Sequence, residues 1–203
     1  MSIYDETLDV WTSGLNMMTG RGYHAQATLS DGRIFTIGGS WSGPLGGKNG
    51  EIFDPLLNTW SWLHECIVAP MLTNDSRGIF CADNHPWLFG WKNGSVFQAG
   101  PSKAMNWYGT SGSGSHFHAG YRGSDADSMN GNAIMFDAIN GKILTLGGAP
   151  SYSAEYSTTA AYVITINEPF TESSVKVVEP MHYPRAYANS VLLLTGEVFV
   201  NGG

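Results

Sequence analysis

The chain has 203 residues, 42% of them hydrophobic, 12% aromatic and only 13% charged, which is too apolar for a disordered chain and long enough for a sizeable core. Ten Lys and Arg stand against 17 Asp and Glu, a net charge of −7, which argues against nucleic acid and anionic membranes as partners. The 26 glycines follow no three-residue period, which excludes collagen, and together with the aromatics they predict short strands joined by tight turns.

The N-terminus, Met1-Ser-Ile-Tyr-Asp-Glu, has neither the basic nor the apolar region of a signal peptide. No stretch approaches the roughly 18 uninterrupted apolar residues of a membrane helix. The first predicted unit is Tyr4-Asp-Glu-Thr-Leu-Asp-Val-Trp11, an aromatic–Asp pair with a Trp seven positions after the aromatic. It recurs 49 positions later as Phe53-Asp-Pro-Leu-Leu-Asn-Thr-Trp60. Between the two, Arg21-Gly-Tyr23 leads through a turn at Gly32 to Gly38-Gly39.

Further along, residues 87–100 read as a hairpin about Lys92-Asn93-Gly94, and residues 132–148 as a second hairpin about Ile139-Asn140-Gly141. Asn-Gly favours such turns because both positions tolerate positive φ. The Ser/Gly-rich stretch 110–131 reads as a long loop between them. Arg185-Ala-Tyr187, Gly196 and Gly202-Gly203 repeat the Arg21 unit 164 positions on, roughly three repeats of about 50–55 residues.

A repeat of this length, with four short strands, a paired glycine and a spaced aromatic–Trp set, is the kelch pattern of a β-propeller. A single four-stranded blade cannot bury both faces, so blades stack about an axis. The predicted fold is therefore all-β: one partial kelch propeller domain over 1–203, about four blades of a larger ring, near 1–60, 61–110, 131–160 and 161–203, with the loop 110–131.

Cys66 and Cys81 make no metal motif. They either close a loop of about 15 residues as one disulfide or stay buried and free, and nothing local demands a bridge. Asn74-Asp-Ser and Asn93-Gly-Ser fit the N-glycosylation acceptor pattern. His116-Phe-His118 would place two imidazoles on one face of a strand, but no third ligand is evident. His24, His64, His85 and His182 are isolated and read as structural. Asp125, Asp127 and Asp137 read as solvent or turn acceptors. Neither a phosphate-binding loop nor a Gly-x-Ser-x-Gly elbow is present.

The segment Arg21-Gly-Tyr-His-Ala-Gln-Ala-Thr-Leu-Ser-Asp-Gly-Arg-Ile-Phe-Thr-Ile-Gly-Gly-Ser-Trp-Ser-Gly43 resembles the copper radical oxidases of the galactose-oxidase branch, in the stretch that holds their modified tyrosine. The resemblance continues through residues 48–52, 83–90, 94–101, 104–108 and 141–148, and so covers essentially the whole chain. It implies a seven-bladed ring and a secreted, fungal-type oxidoreductase. The implied reaction takes a primary alcohol or sugar to the aldehyde and reduces O2 to H2O2. Copper takes one electron at a time, so such an enzyme needs a second redox centre.

By this resemblance, Tyr23 is the equatorial copper ligand and the seat of the tyrosyl radical. Trp41 is the indole that stacks on it and walls the substrate pocket, and Tyr152 lies in that pocket. The repeat alone leaves another role open for Tyr23, since Tyr187 sits at the equivalent blade position and an aromatic there can simply pack between blades.

The chain also departs from the family. The crosslinking cysteine falls before the residue matching Met1, and the other copper ligands fall beyond Gly203, so one of four protein ligands is expected in these residues. The sugar-binding arginine of the family falls at Cys81 and its glutamine at Ser153. A site without its planar cationic donor should recognise sugars less well, which favours a less polar primary alcohol. The alternative reading is a non-catalytic kelch propeller that binds a protein or glycan partner.

Overall fold

The structure is a computed structural model that describes residues 1–124, 126–153 and 156–203. Among the described residues strands dominate, in five antiparallel sheets. The first pairs β1 (Ser2–Asp5) with β2 (Val10–Ser13). The next is a four-stranded meander of β3 (Ala25–Thr28), β4 (Ile34–Ile37), β5 (Gly50–Asp54) and β6 (Thr59–Leu63). A second meander joins β7 (Trp87–Gly90), β8 (Ser95–Gly100), β9 (Ala104–Gly109) and β10 (Ser115–Tyr121). A third joins β11 (Asn132–Asp137), β12 (Lys142–Leu146), β13 (Ala161–Thr165) and β14 (Ser174–Val177). The last sheet pairs β15 (Asn189–Leu192) with β16 (Val198–Asn201).

The described residues thus form three complete blades flanked by two strand pairs. Part of the stretch expected as a loop, Ser115–Tyr121, is the outer strand β10, paired in register with β9 from Ser115–Gly109 to His118–Asn106. Its alternation, His-Phe-His-Ala, lets one face meet the neighbouring blade while the edge stays polar.

Side chains of successive strand residues point to opposite faces, and this period of two builds the space between blades. On β8, Val96 joins one core cluster, with Phe35, Ile37, Ile52, Leu63 and Tyr108, against the β3–β6 blade. Its neighbours Phe97 and Ala99 join the other cluster, with Met105, Trp107, Ile143 and Ile164, against the β11–β14 blade. The middle blade is therefore apolar on both faces. The aromatic–Trp pairs meet across their own hairpins, Phe53 with Trp60 at 5.2 Å and Tyr4 with Trp11 at 5.2 Å, but only the first pair is buried; Tyr4 and Trp11 are exposed and fill no space between blades.

The first strands of successive blades touch one another, β3 with β7, β7 with β11 and β11 with β15, so these strands surround the axis. The paired glycines explain how they come so close. Gly38 and Gly147 have φ of +78° and +62°. A β-carbon on either would collide with the backbone carbonyl of Asp83 or Arg185 in the lead-in to a neighbouring blade. Gly39 N–H and Gly148 N–H donate to those same carbonyls, at 3.1 and 2.8 Å. Cys66 and Cys81 are free and buried.

Candidate active site at the axial end of the blades

Four residues stand in the same place on successive blades, two positions before the inner strand: Tyr23, His85, Asn130 and Tyr187. All four are left-handed, with φ of 60°, 54°, 59° and 58°. A bulky residue in this region is strained unless its surroundings hold it there. Here the backbone does so across blades, since His85 N–H donates to the Tyr23 carbonyl at 2.8 Å and Tyr187 N–H to the Asn130 carbonyl at 2.7 Å. The repeat therefore turns four side chains toward one hollow of about 570 Å³, lined among others by Tyr23, His85, Asn130, Tyr152 and Tyr187.

The Tyr23 ring is 47% exposed and so faces the hollow rather than the dry space between blades. Trp41 meets it edge-on, with centroids 5.1 Å apart and planes at 62°. The resemblance implied a stacked pair at this point. The indole instead stacks on Tyr152, at 5.5 Å and 29°, and lies 4.5 Å from Phe80. His85 lies 5.0 Å from the Tyr23 ring and stacks on Tyr152 at 17°, with its Nε2 3.4 Å from the Tyr152 hydroxyl. Burial holds His85 below its ordinary pKa, which leaves its imidazole neutral at pH 7. Burial, then the nearby Tyr187 and Tyr23 phenols, raise the pKa of Tyr152.

A buried ionic frame holds the loop that carries Trp41. Arg21, two residues before Tyr23, binds both Glu51 and the backbone of that loop. Its Nε and Nη2 donate to Glu51 Oε1 at 3.0 and 2.6 Å, and its Nη1 donates to the Gly38 and Lys48 carbonyls. Both side chains are wholly buried. On either side of Trp41, the Asp83 carboxylate accepts from Ser40 N–H and Oγ–H at 2.7 Å each, and Lys48 Nζ donates to the Ser42 carbonyl at 2.9 Å.

The remaining candidates lie as follows. Tyr152 is in the hollow wall. Cys81 is fully buried in the short helix α1 (Ile79–Ala82) and presents no surface. Ser153 is exposed beside Tyr152. His116 Nε2 is 2.8 Å from Asn106 Oδ1, whereas His118 meets Tyr121, so the two imidazoles have different partners. Among the described residues, no three His, Cys, Asp or Glu side chains cluster as a metal would need. Asp137 is a turn acceptor, taking hydrogen bonds from Asn140 N–H and Nδ2–H. Asp127 is instead buried, and its carboxylate bridges Asn74 N–H and Lys103 N–H at 2.6 and 2.7 Å. Asp125 lies outside the described residues.

Sequence reasoning singled out Tyr23 and noticed Tyr187 as its repeat, but treated His85 as isolated and passed over Asn130. A positional signal was available, namely the residue two places before each inner strand. Arg77 was also missed. Its guanidinium lies 5.6 Å from the centre of the Trp41 ring and 5.5 Å from that of Phe80.

No protein-family model matches the chain. Two galactose oxidase sequences of Gibberella zeae, one from strain PH-1, are each 51% identical over 207 aligned positions, which take in 100% of this chain and 30% of theirs. A solved structure described as a novel fungal alcohol oxidase of the AA5 family, in complex with copper, superposes with a TM-score of 0.94 at 46% identity, over 100% of this chain and 42% of that one. The chain thus spans about a third of the length of the relatives it matches. Over that span, in sequence and in its propeller blades alike, the chain belongs with the galactose oxidase-like proteins.

Proposed function

We infer that these residues are the part of a copper-dependent alcohol oxidase that carries its redox-active phenol. The reaction would be RCH2OH + O2 → RCHO + H2O2. The observation that supports this most is the state of Tyr23, a half-exposed ring held in a left-handed backbone at the mouth of an axial hollow, with an indole against its edge.

The donors present fit part of a copper site. Tyr23 offers a phenol, which binds a metal once its proton is lost, and no three-residue cluster of His, Cys, Asp or Glu completes the set among the described residues. Tyr23 would hold the metal, and the other ligands would come from parts of such a protein outside these 203 residues. Copper, when bound, would accept one of the two electrons that an alcohol gives up. Tyr23 is this chain's candidate for the other, and Trp41 packs against one edge of its ring.

Tyr23, His85, Tyr152 and Tyr187 give the hollow aromatic walls, Trp41 stacks on Tyr152, and the buried Cys81 contributes no hydrogen-bond donor. This supports a primary alcohol that carries an aromatic ring over galactose as the substrate, since a sugar's ring hydroxyls would lose their hydration against aromatic faces. Secretion belongs to the same reading. Both glycosylation acceptors, Asn74 and Asn93, are exposed.

The test is a chimera in which these residues replace the matching 30% of the Gibberella zeae galactose oxidase. Loaded with copper, it is expected to release H2O2 from a primary alcohol such as benzyl alcohol, and Tyr23→Phe is expected to abolish that release. A folded, copper-loaded chimera that is inert, or equally active with Phe at position 23, would sink the proposal. Inertness would favour the non-catalytic binding propeller.

A further inference from the structure

Arg77 is an exposed cation with a built position and no ion-pair partner among the described residues. It sits in the turn before α1. Asp75, buried, fastens that turn to the neighbouring loop: one carboxylate oxygen accepts from Arg77 N–H at 2.8 Å and the other from Tyr152 N–H at 2.5 Å. Ser76 N–H donates to Ser151 Oγ at 2.9 Å, a second tie between the same two loops. The result is a guanidinium laid across Trp41 and Phe80, one indole away from the Tyr23 ring.

Asp75 does not cancel this charge at the rim. Its carboxylate is buried and committed to backbone N–H groups on both oxygens, whereas the guanidinium is in solvent. Burial raises the pKa of both Tyr152 and Cys81, and the Arg77 charge works against that rise. A guanidinium lying on an aromatic face keeps its edge free, and that edge is the part that grips a carboxylate through two N–H groups.

We propose that Arg77 determines substrate specificity by binding the anionic end of the alcohol, so that the preferred substrates are aromatic carbinols bearing a carboxylate. The ring of such a substrate would lie against Trp41 and Tyr152. Its hydroxyl would point to Tyr23 and its carboxylate to Arg77. The proposal rests on the functional reading above for the direction of the hydroxyl, but the binding itself needs neither copper nor turnover.

The probes are 4-(hydroxymethyl)benzoate and its methyl ester, which differ in charge and hardly in shape. Each is titrated into the 203-residue chain while the Trp41 indole N–H resonance is followed by NMR, assigned with Trp41→Phe. At low ionic strength the acid is expected to bind about fivefold more tightly than the ester, with the difference shrinking at high salt. Arg77→Gln should bring the two to equal affinity, and Arg77→Lys should keep part of the preference, since it keeps the charge and loses the fork. Equal binding of acid and ester, a preference that survives Arg77→Gln, or no shift with either probe would overturn the proposal. None of these outcomes depends on whether the chimera oxidises alcohols, so the two readings fail separately.

Discussion

The Arg21–Glu51 pair is the clearest place to perturb the frame beneath the candidate site. Glu51→Gln keeps the shape and removes the charge. In the native chain, Glu51 Oε1 takes two guanidinium N–H groups and Oε2 takes Met18 N–H at 2.6 Å. A glutamine can present its one carbonyl to the guanidinium, but its amide NH2 then faces the Met18 N–H, donor against donor. Arg21 also loses its only ion-pair partner among the described residues while remaining fully buried, with Asp83 left as a more distant anion. Burial already works against its charge, and Glu51 is the group that most favours it. Breaking one side of a buried pair costs about 3–5 kcal/mol. The three backbone carbonyls that still accept from Arg21, those of Gly38, Lys48 and Asn49, place this case near the low end, about 3 kcal/mol. With a urea slope of about 2 kcal/mol per molar, the unfolding midpoint should fall by about 1.5 M. The assay is a urea titration followed by circular dichroism. A midpoint within about 0.3 M of the parent would refute the reasoning, because the pair would then stabilise no more than a surface ion pair does.

Two further outcomes follow from buried groups elsewhere. Both thiols are wholly buried, and burial pushes Cys66 up to about 12, so neither cysteine should react with Ellman's reagent in the native chain while both should react in urea. One thiol titrating within minutes under native conditions would contradict the packing. His24, His85 and His116 are each held below the ordinary value of 6.5 by burial. Their unfolded forms therefore take up protons first, and stability present above pH 6.5 is lost as pH falls below it through the lower folded values. Melting temperature should fall across that window in the parent and fall less in His85→Asn. An unchanged slope in the variant would show that His85 is not the buried neutral group described.

Much of the fold was legible because a blade is written twice over, once in its glycines and once in its aromatic spacing. Gly38-Gly39 and Gly202-Gly203 mark the same backbone event, and Phe53–Trp60 marks the outer hairpin. β10 was hidden because Ser, Gly and His fill an exposed outer strand that needs only one apolar face. The site was legible only at Tyr23 and Trp41, where a long local match exists. Its other members are contributed from separate blades. His85 and Tyr152 are 67 positions apart, yet their side chains meet, and nothing local to either residue announces the other. Asp127 looked like a turn acceptor because its true partners, Asn74 and Lys103, come from distant loops. Arg77 was invisible for the same reason: its significance lies in the indole beneath it, 36 positions away in the chain.

The central claim is that the Tyr23 phenol stands free at the hollow as a metal donor. The most direct measurement is the visible spectrum of the 203-residue chain with excess Cu(II) at mildly alkaline pH. Binding should be weak, because the described residues offer few donors, but the bound fraction should show a phenolate-to-copper charge-transfer band. That band should vanish in Tyr23→Phe and persist in Tyr152→Phe and Tyr187→Phe. No band in the parent, or a band unchanged in Tyr23→Phe, would contradict the account.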